Sequence, residues 1–436
     1  MNSILDIKEG LEEDESIINY QYYQFYPQTG TQYNNPGNIT ITVNNSDNFY
    51  QPANSWLEFE GHVEKDKDGT HKYAATDLIS FVNYGILYLF DQAKYCLNNS
   101  PIETVFNPGL TANLLGLATF PDNNKGAEIE CWSPDTKDLN TADNKGFEKR
   151  RQFLIATPNP VGTFRYAVPL KRIFGFADDY GKVMYGFTHN IVLTRSTGSN
   201  DALSHKPWEG AVKKDTELDH GRVVLKDVRW MLPRVTPSDL AKFALLKQIK
   251  DQITLHCGFR MRQHISKIVP VGNSFTWRLG IRSSPEQPRF IFLCFQTKRG
   301  NDQNKLNTVY DHCGLTSAHV LLNNDRYPMN DFQTDFAKNQ YDHLYSDFIG
   351  FRKKFYGIDS VIGSGPVGPI DYKDKYPIYC FDVSRQSERL KSGVTDITLH
   401  CNFAANVDAG TIGHAVLISD RKLKFKSDGE KLSVIY

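Results

Sequence analysis

At 436 residues, 40% hydrophobic and 12% aromatic, the chain is long enough for about two domains of roughly 200 residues, each with its own core. Its 50 basic residues balance its 50 acidic ones, which excludes the overall positive field of a protein that grips nucleic acid or anionic lipid along its length. No basic stretch followed by an apolar one opens the sequence. The most apolar run, LISFVNYGILYLF (78–90), is shorter than the roughly 20 residues that cross a bilayer, so a soluble protein is expected.

The chain opens on an acidic stretch, GLEEDES (10–16), followed by YQYYQFY (20–26). Together they read as an N-terminal arm over residues 1–30, a docking segment or a disordered terminus. Short runs of β-branched and aromatic residues then recur between Gly, Pro, Asn and Asp clusters and predict strands. In the first half these are NITITV (38–43), SWLEFEGHV (55–63), AKYCLN (93–98), RQFLIAT (151–157), TFRYAV (163–168), HNIVLTR (189–195) and RVVLKDVRW (222–230). In the second half they are QITLHCGFRM (252–261), SFTWRLGIR (274–282), RFIFLCFQT (289–297), AHVLLNN (318–324), PIYCFDV (377–383), DITLHCNFA (396–404), IGHAVLIS (412–419) and KLKFKS (422–427). Seven or eight strands per half with long connections is the signature of antiparallel sandwiches and jelly rolls.

Three helices are expected. One follows the turn Asn107-Pro108-Gly109, near 110–117. A second starts at Thr236-Pro237-Ser238-Asp239, with Thr236 as cap and Pro237 in the first helical position. Its body, LAKFALLKQI, is apolar around much of its circumference, which predicts burial between two layers, and its place near the midpoint sets the domain boundary there. The third, about 337–356, gathers Tyr341, Leu344, Tyr345, Phe348 and Phe355 on one face. The domains expected are thus the arm at 1–30, a first at 31–235 and a second at 236–436.

ITLHC occurs twice, at 253–257 and 397–401, and suggests a Cys₂His₂ metal site. Strand parity argues otherwise. Ile253, Leu255, Cys257 and Phe259 share one face, as do Ile397, Leu399, Cys401 and Phe403, while His256 and His400 point away from the cysteines. Both copies read as core strands with cysteine inside and histidine out, leaving open whether the histidines sit at a subunit boundary where pH is felt. The seven cysteines are widely spaced without CxxC and read as buried free thiols of a reducing compartment.

Other candidates are weak. GSGPVG (363–368) matches GxGxxG, but the following PIDYKDKYP has two prolines and no helical period, so a loop is expected. GFADDYGKV (175–183) has one residue too many for a phosphate loop, and its Asp178-Asp179 pair reads as solvated or capping. Asp311-His312-Cys313 places a histidine beside a cysteine in sequence, which is not the spatial pairing a thiol nucleophile needs. Phe351 and Phe355 of FRKKFYG (351–357) fit a helix core face better than a nucleic-acid site. Lys422, Lys424 and Lys426, alternating with Leu423 and Phe425, read as a lysine-protected edge strand or a contact for an acidic partner. No catalytic residue, cofactor site or metal site is nominated.

Several longer stretches resemble a known family. They are SWLEFEGHVEK (55–65), LFDQAKYCLNNSPIETVFNPGLTANL (89–114), YAVPLKRIFGFADDYGKVMYGFTHNIVLTRS (166–196), VRWMLPRVTPSDLAKFALLKQI (228–249), SFTWRLGIRSSPEQPRFIFLCFQT (274–297), VYDHCGLTSAHVLLNNDRYP (309–328) and YPIYCFDVSRQSERLKSGVTDITLHCNF (376–403). In order and phrasing they are similar to the double jelly-roll major capsid proteins of Polinton/Maverick-type and adintovirus-like elements, of the adenovirus-related capsid lineage. The first 30 residues and the stretch 119–149 lie outside the resemblance.

The resemblance implies an all-β fold: two tandem eight-stranded antiparallel jelly rolls with a few short helices in the connections, and no enzymatic activity. It further implies homotrimers forming pseudo-hexagonal capsomers of an icosahedral shell around a DNA genome. The partners implied are neighbouring trimers, penton and minor capsid proteins, and an internal membrane reached by the N-terminal arm, with no sequence-specific nucleic acid binding. The protein would be made in the host cytoplasm, assembled there or in the nucleus, and located in the virion capsid, with loops such as 119–149 and 198–217 outside. A domesticated host copy fits the same sequence. The alternative from another class is a β-sandwich carbohydrate-binding protein or glycoside hydrolase, which would need two carboxylates roughly 5–10 Å apart in a cleft.

Overall fold

In the computed structural model the described residues are 16–28, 33–44, 46–65, 72–122, 124–139, 143–156, 160–206, 221–282, 286–357, 365–387, 390, 393–427 and 432–435. Sixteen of its strands form two sets of eight. The first set is β1 (Ile17–Phe25), β2 (Gly37–Val43), β3 (Trp56–Glu64), β4 (Phe90–Leu97), β5 (Ser100–Phe106), β6 (Thr163–Pro169), β7 (His189–Arg195) and β8 (Arg222–Pro237). The second is β9 (Leu255–Ile268), β10 (Ser274–Arg282), β11 (Pro288–Thr297), β12 (Leu315–Leu322), β13 (Asp325–Tyr327), β14 (Tyr379–Asp382), β15 (Thr395–Phe403) and β16 (Thr411–Ser427).

All pairings are antiparallel, and the order is β1-β8-β3-β6 with β2-β7-β4-β5 in the first set. In the second it is β9-β16-β11-β14 with β10-β15-β12-β13. Both sets therefore read first-eighth-third-sixth and second-seventh-fourth-fifth. That order is a jelly roll, and it occurs twice in one chain. The all-β expectation of two eight-stranded rolls holds.

Burial follows the side-chain alternation of strands, with two informative breaks. In β8, Val223 and Leu225 are buried, then Val228, Trp230 and Leu232, because a register shift between Leu225 and Asp227 moves the inward face by one residue. In β11 the alternation vanishes, since both faces are covered. Phe290 and Phe292 pack on Phe351 of a helix outside the sheet, with ring centroids 4.9 and 4.7 Å apart, while Phe295 meets Phe403 of the opposing sheet at 5.5 Å.

The helices are α1 (Pro108–Thr119), α2 (Lys145–Ile155), α3 (Leu170–Ile173), α4 (Gly175–Asp179), α5 (Asp239–Lys250), α6 (Asp342–Tyr356) and α7 (Pro369–Asp374), beside a few single turns. Several expectations need correction. The segment read as an arm contributes β1. Residues 151–155 of RQFLIAT are not a strand but the end of α2, because Asn144 caps that helix by accepting from Phe147 N and places Phe147, Arg150 and Leu154 on one buried face; Thr157 lies outside the described residues. The two strands expected at 412–427 are the single strand β16. Lys422, Lys424 and Lys426 are exposed as alternation requires, yet β16 is not an edge: it runs between β9 and β11, and Leu432–Ile435 pairs with its end.

Thr236 and Pro237 end β8, and Ser238 caps α5. No residue of α5 is buried: Leu240 and Phe243 are 85% and 72% exposed. The helix buried between layers is instead α1, in which every residue is buried. Phe351→Ala should cost about 3–5 kcal/mol, as aromatic truncations in packed cores do. Phe243→Ser should stay within about 0.5 kcal/mol. Urea unfolding of the two variants separates these outcomes.

Candidate functional site: the junction and free edges of the two rolls

The place where distant residues converge is the junction between the rolls. Roll one contributes β5, α1, α3 and α4, and roll two lays β9 across them. Glu103, in the middle of β5, has no exposed surface. Its Oε1 accepts from the backbone N–H of Arg262 in roll two, and its Oε2 from that of Phe176 in roll one, both at 2.9 Å. Burial raises its carboxyl above the usual carboxylate range, against the pull of Arg262 and the backbone donors.

Asp178 and Asp179, expected as solvated or capping acids, carry the next layer. Asp178 Oδ2 lies 2.8 Å from the Arg262 guanidinium, which also donates to the carbonyls of Lys171 (2.9 Å) and Arg172 (2.8 Å) at the end of α3. Asp178 also accepts from the Tyr356 hydroxyl at 2.7 Å. Asp179 pairs through both oxygens with Arg260, whose backbone N–H donates to the same carboxylate at 2.7 Å and whose guanidinium lies 3.6 Å over the Phe355 ring. Gly175 lets the chains approach this closely, since a Cβ there would stand 1.9 Å from the Arg260 carbonyl oxygen.

Further along, Asn113 of α1 donates to Tyr310 Oη at 2.9 Å, and Tyr376 Oη donates to the Asp135 carbonyl at 2.7 Å. Asn107 Nδ2 reaches His264 Nδ1 at 3.2 Å. An amide nitrogen only donates, so His264 carries its proton on Nε2, aimed at His414 Nδ1 3.1 Å away. Burial holds His264 down to about 4, and His414 to about 3 with help from His264.

The residues singled out in the sequence are dispersed. His256 is exposed and pairs across strands with Lys424. His400 is half-buried, stacks on His319 at 5.0 Å and meets Thr276 Oγ1 at 3.1 Å. Cys257, Cys401 and Phe403 are buried, as parity predicted, but Ile253 lies ahead of β9 and is exposed. The two ITLHC copies lie in different sheets. Six cysteines are buried, Cys313 is half-buried and all are unpaired.

Among the described residues no three His, Cys, Asp or Glu side chains are grouped to hold a metal ion. Gly363 and Ser364 lie outside the described residues; the element before that loop is α6, not a strand, and the six-residue α7 follows it. Asp311, His312 and Cys313 line a cleft of about 440 Å³ with Asp374 and Asp408. There burial and Asp311 push the Cys313 thiol up to about 12, the reverse of an activated thiolate, and Asp311 is taken up by Arg299. Two open clefts of about 650 and 510 Å³ have no carboxylate among their lining residues.

The junction was not legible in the sequence because its partners are far apart, Glu103 and Arg262 by 159 residues. What remains uncovered is as telling. β1 and β13 are outer strands of their sheets. Eight of the nine β1 residues are exposed, and none of β13 is buried.

Two eight-stranded rolls of one topology in a single chain, locked by a buried polar junction, define a double jelly-roll protein. A family model described as the double jelly roll-like domain matches residues 79–423, and the chain belongs to that family. Solved structures of similar fold include the faustovirus major capsid protein, with 10% identity, a TM-score of 0.57 and coverage of 96% of this chain and 92% of that one. A chain of the Sputnik virophage gives 11%, 0.58, 99% and 91%, and the mavirus major capsid protein 12%, 0.55, 99% and 92%. No curated protein matches the sequence.

Arg262→Ala should destabilise the protein by about 3–5 kcal/mol, because the nearly buried Asp178 loses its cation and keeps only the Tyr356 hydroxyl; a denaturant midpoint measures it. The histidine pair makes a pH prediction. Both folded values lie below the ordinary 6.5, so the stabilisation is fully present above pH 6.5 and is lost as pH falls toward 4 and then 3. Each histidine should contribute a slope approaching 1.4 kcal/mol per pH unit in that window. In His264→Gln/His414→Gln the pH dependence of the melting temperature between pH 6 and 4 should be shallower than in the parent.

Proposed function

We propose that the chain is the major capsid protein of a DNA virus or virus-like mobile element, built as a shell subunit and not as an enzyme. The observation that carries this reading is the repetition of one eight-stranded order twice in a chain, with the rotation between the rolls fixed by Glu103, Arg260 and Arg262 against β5 and α4. A rigid pair of like units supplies two positions of a six-unit ring, so three chains complete a pseudo-hexagonal capsomer and capsomers tile an icosahedral shell. The named major capsid proteins of faustovirus and mavirus share this fold and support the reading. Within it, the sequence resemblance points to the Polinton and adintovirus lineage.

The domains would be the two rolls, divided at α5 as the sequence suggests, with the first beginning at β1. Loops at 119–149 and 198–217 would face outward; 123, 140–142 and 207–217 lie outside the described residues. Penton and minor capsid proteins would contact the base, and an internal membrane would be met by residues 1–15, which also lie outside the described residues. Packing a genome needs no base readout, so the zero net charge is no obstacle. The protein would be made in the host cytoplasm and function in the virion.

The purified protein should run at three times the 49.7 kDa chain mass in chromatography with light scattering, and triangular or hexagonal particles should appear in negative stain. A strict monomer at every salt and pH tried would sink this reading.

A further inference from the structure

Arg195 ends β7 and is only 4% exposed. Among the described residues no carboxylate stands within ion-pair distance of its guanidinium; the charge of Asp91 is felt from farther away. Its Nη1 donates to the carbonyls of Leu89, Ser196 and Gly198 at 2.9, 3.3 and 3.2 Å. Its Nη2 has one long contact, to Ser199 Oγ at 3.4 Å, and its Nε has no partner. The Nε–Nη2 side, with which a guanidinium grips an oxyanion bidentately, is thus nearly unused. Carbonyl dipoles do not neutralise a full charge, and burial pulls Arg195 down to about 10, far below an ordinary arginine. A buried cation with no anion opposite it is costly to keep.

This arginine lines the open cleft of about 510 Å³, a size typical of small-molecule sites. Asn34, Asn35, Thr197, Ser199 and Asn200 of roll one and Asn301 of roll two line it with amides and hydroxyls. Arg222 lines it too, but Glu64 takes that guanidinium at 2.8 Å. The walls are fixed by both rolls together. Asn200 Nδ2 donates to Asn301 Oδ1 at 2.8 Å, and the buried Gln303 donates to Asn200 Oδ1 at 2.9 Å and to the Gly221 carbonyl at 2.7 Å. The lining holds no carboxylate to repel an anion and no aromatic ring on which a nucleobase could stack. Its apolar side chains are Val223 and Val224, too few for a lipid tail.

We infer that this cleft binds an oxyanion carried on a sugar, a sulfate or phosphate ester, with the charge held by Arg195 and the sugar hydroxyls by the surrounding amides and hydroxyls. The anion supplies what the buried guanidinium lacks, and the cleft has room for the body that carries it. The inference stands apart from the capsid reading and needs no assembly. Under that reading the outward loop at 198–217 would set the cleft at the outside of the shell.

The test is isothermal titration calorimetry on the purified full chain at low ionic strength, where charge is least screened. The probes are glucose 6-sulfate, glucose and inorganic sulfate. Glucose 6-sulfate should saturate at one per chain, inorganic sulfate should bind more weakly and compete with it, and glucose should give no saturable heat. Thr197 is exposed, so Thr197→Asp puts an acid into the cleft without disturbing a packed position. It should weaken glucose 6-sulfate at least tenfold. Arg195→Gln should abolish binding, whereas Phe243→Ser on α5 should bind as the parent does.

Arg195 also holds three carbonyls, so its variant is read only if the circular dichroism spectrum is kept; otherwise Thr197→Asp decides alone. No saturable binding of either anion at 10 mM, roughly a thousandfold above a tight-binding range of micromolar constants, would overturn the inference. Undiminished affinity in Thr197→Asp would overturn the site, and equal affinity for glucose and its sulfate would overturn the role of charge. Inorganic sulfate binding as tightly as the ester would overturn the sugar. None of these results bears on whether the chain forms trimers.

Discussion

Glu103 ties the backbones of both rolls to one side chain. One of its oxygens is held by a strand of the second roll and the other by a helix start of the first. Removing a carboxylate from water is expensive, and its raised pKa records that cost. Its benefit is therefore direction more than stability. Apolar burial is non-directional, so two greasy roll surfaces could slide over one another with little change in energy. A carboxylate that must meet two N–H groups, beside Arg260 and Arg262 that must meet Asp179 and Asp178, allows one register. The rotation between the rolls follows from that register.

The same logic separates the two helices near the middle of the molecule. α1 is wholly buried because it carries almost nothing polar beyond Thr111, Asn113 and Thr119, and Asn113 finds Tyr310 across the junction. α5 has as many apolar residues but also Lys242, Lys247 and Lys250, which keep it on the outside, with Leu245, Gln248 and Ile249 leaning on a shallow apolar hollow near Tyr185 and Phe425. Hydrophobic content told where a helix was and misled on its burial; the three lysines hold α5 at the surface.

Strands with one covered face were legible, because alternation writes that face into the sequence. SFTWRLGIR became β10 with the same ends, and parity placed Cys257 and Cys401 inward and His256 outward. β1 was not legible, since a strand exposed on both faces has no alternation to read, and its tyrosines and glutamines looked like an arm. β5 was hidden by Pro101 at its start and by Glu103, a residue that single-strand reasoning would never put in a core. The aspartates of α4 were misread for the same reason: their partners arrive from β9, and no local pattern announces a contact made across the chain. The count is the signal that could have helped: once RQFLIAT is set aside as helix, the first half showed six of the eight strands a jelly roll needs, and β1 and β5 are the two missing.

The contrast between the junction and the spare edges has a physical reason. The contact inside the chain forms during folding, when Glu103, Arg260 and Arg262 are organised together with their partners and no separately solvated, preformed surface has to be stripped of water. An interface between finished chains must desolvate groups already hydrated, and a charge that ends imperfectly paired there subtracts directly from affinity. The ionic version of the contact therefore belongs within the chain, and the version left for a partner should be rich in tyrosine and poor in charge. β1 has that composition, with Arg234 as its neighbouring cation and no acid of its own. Buried ions thus fix the angle between the rolls within the chain, where their partners are organised as the chain folds.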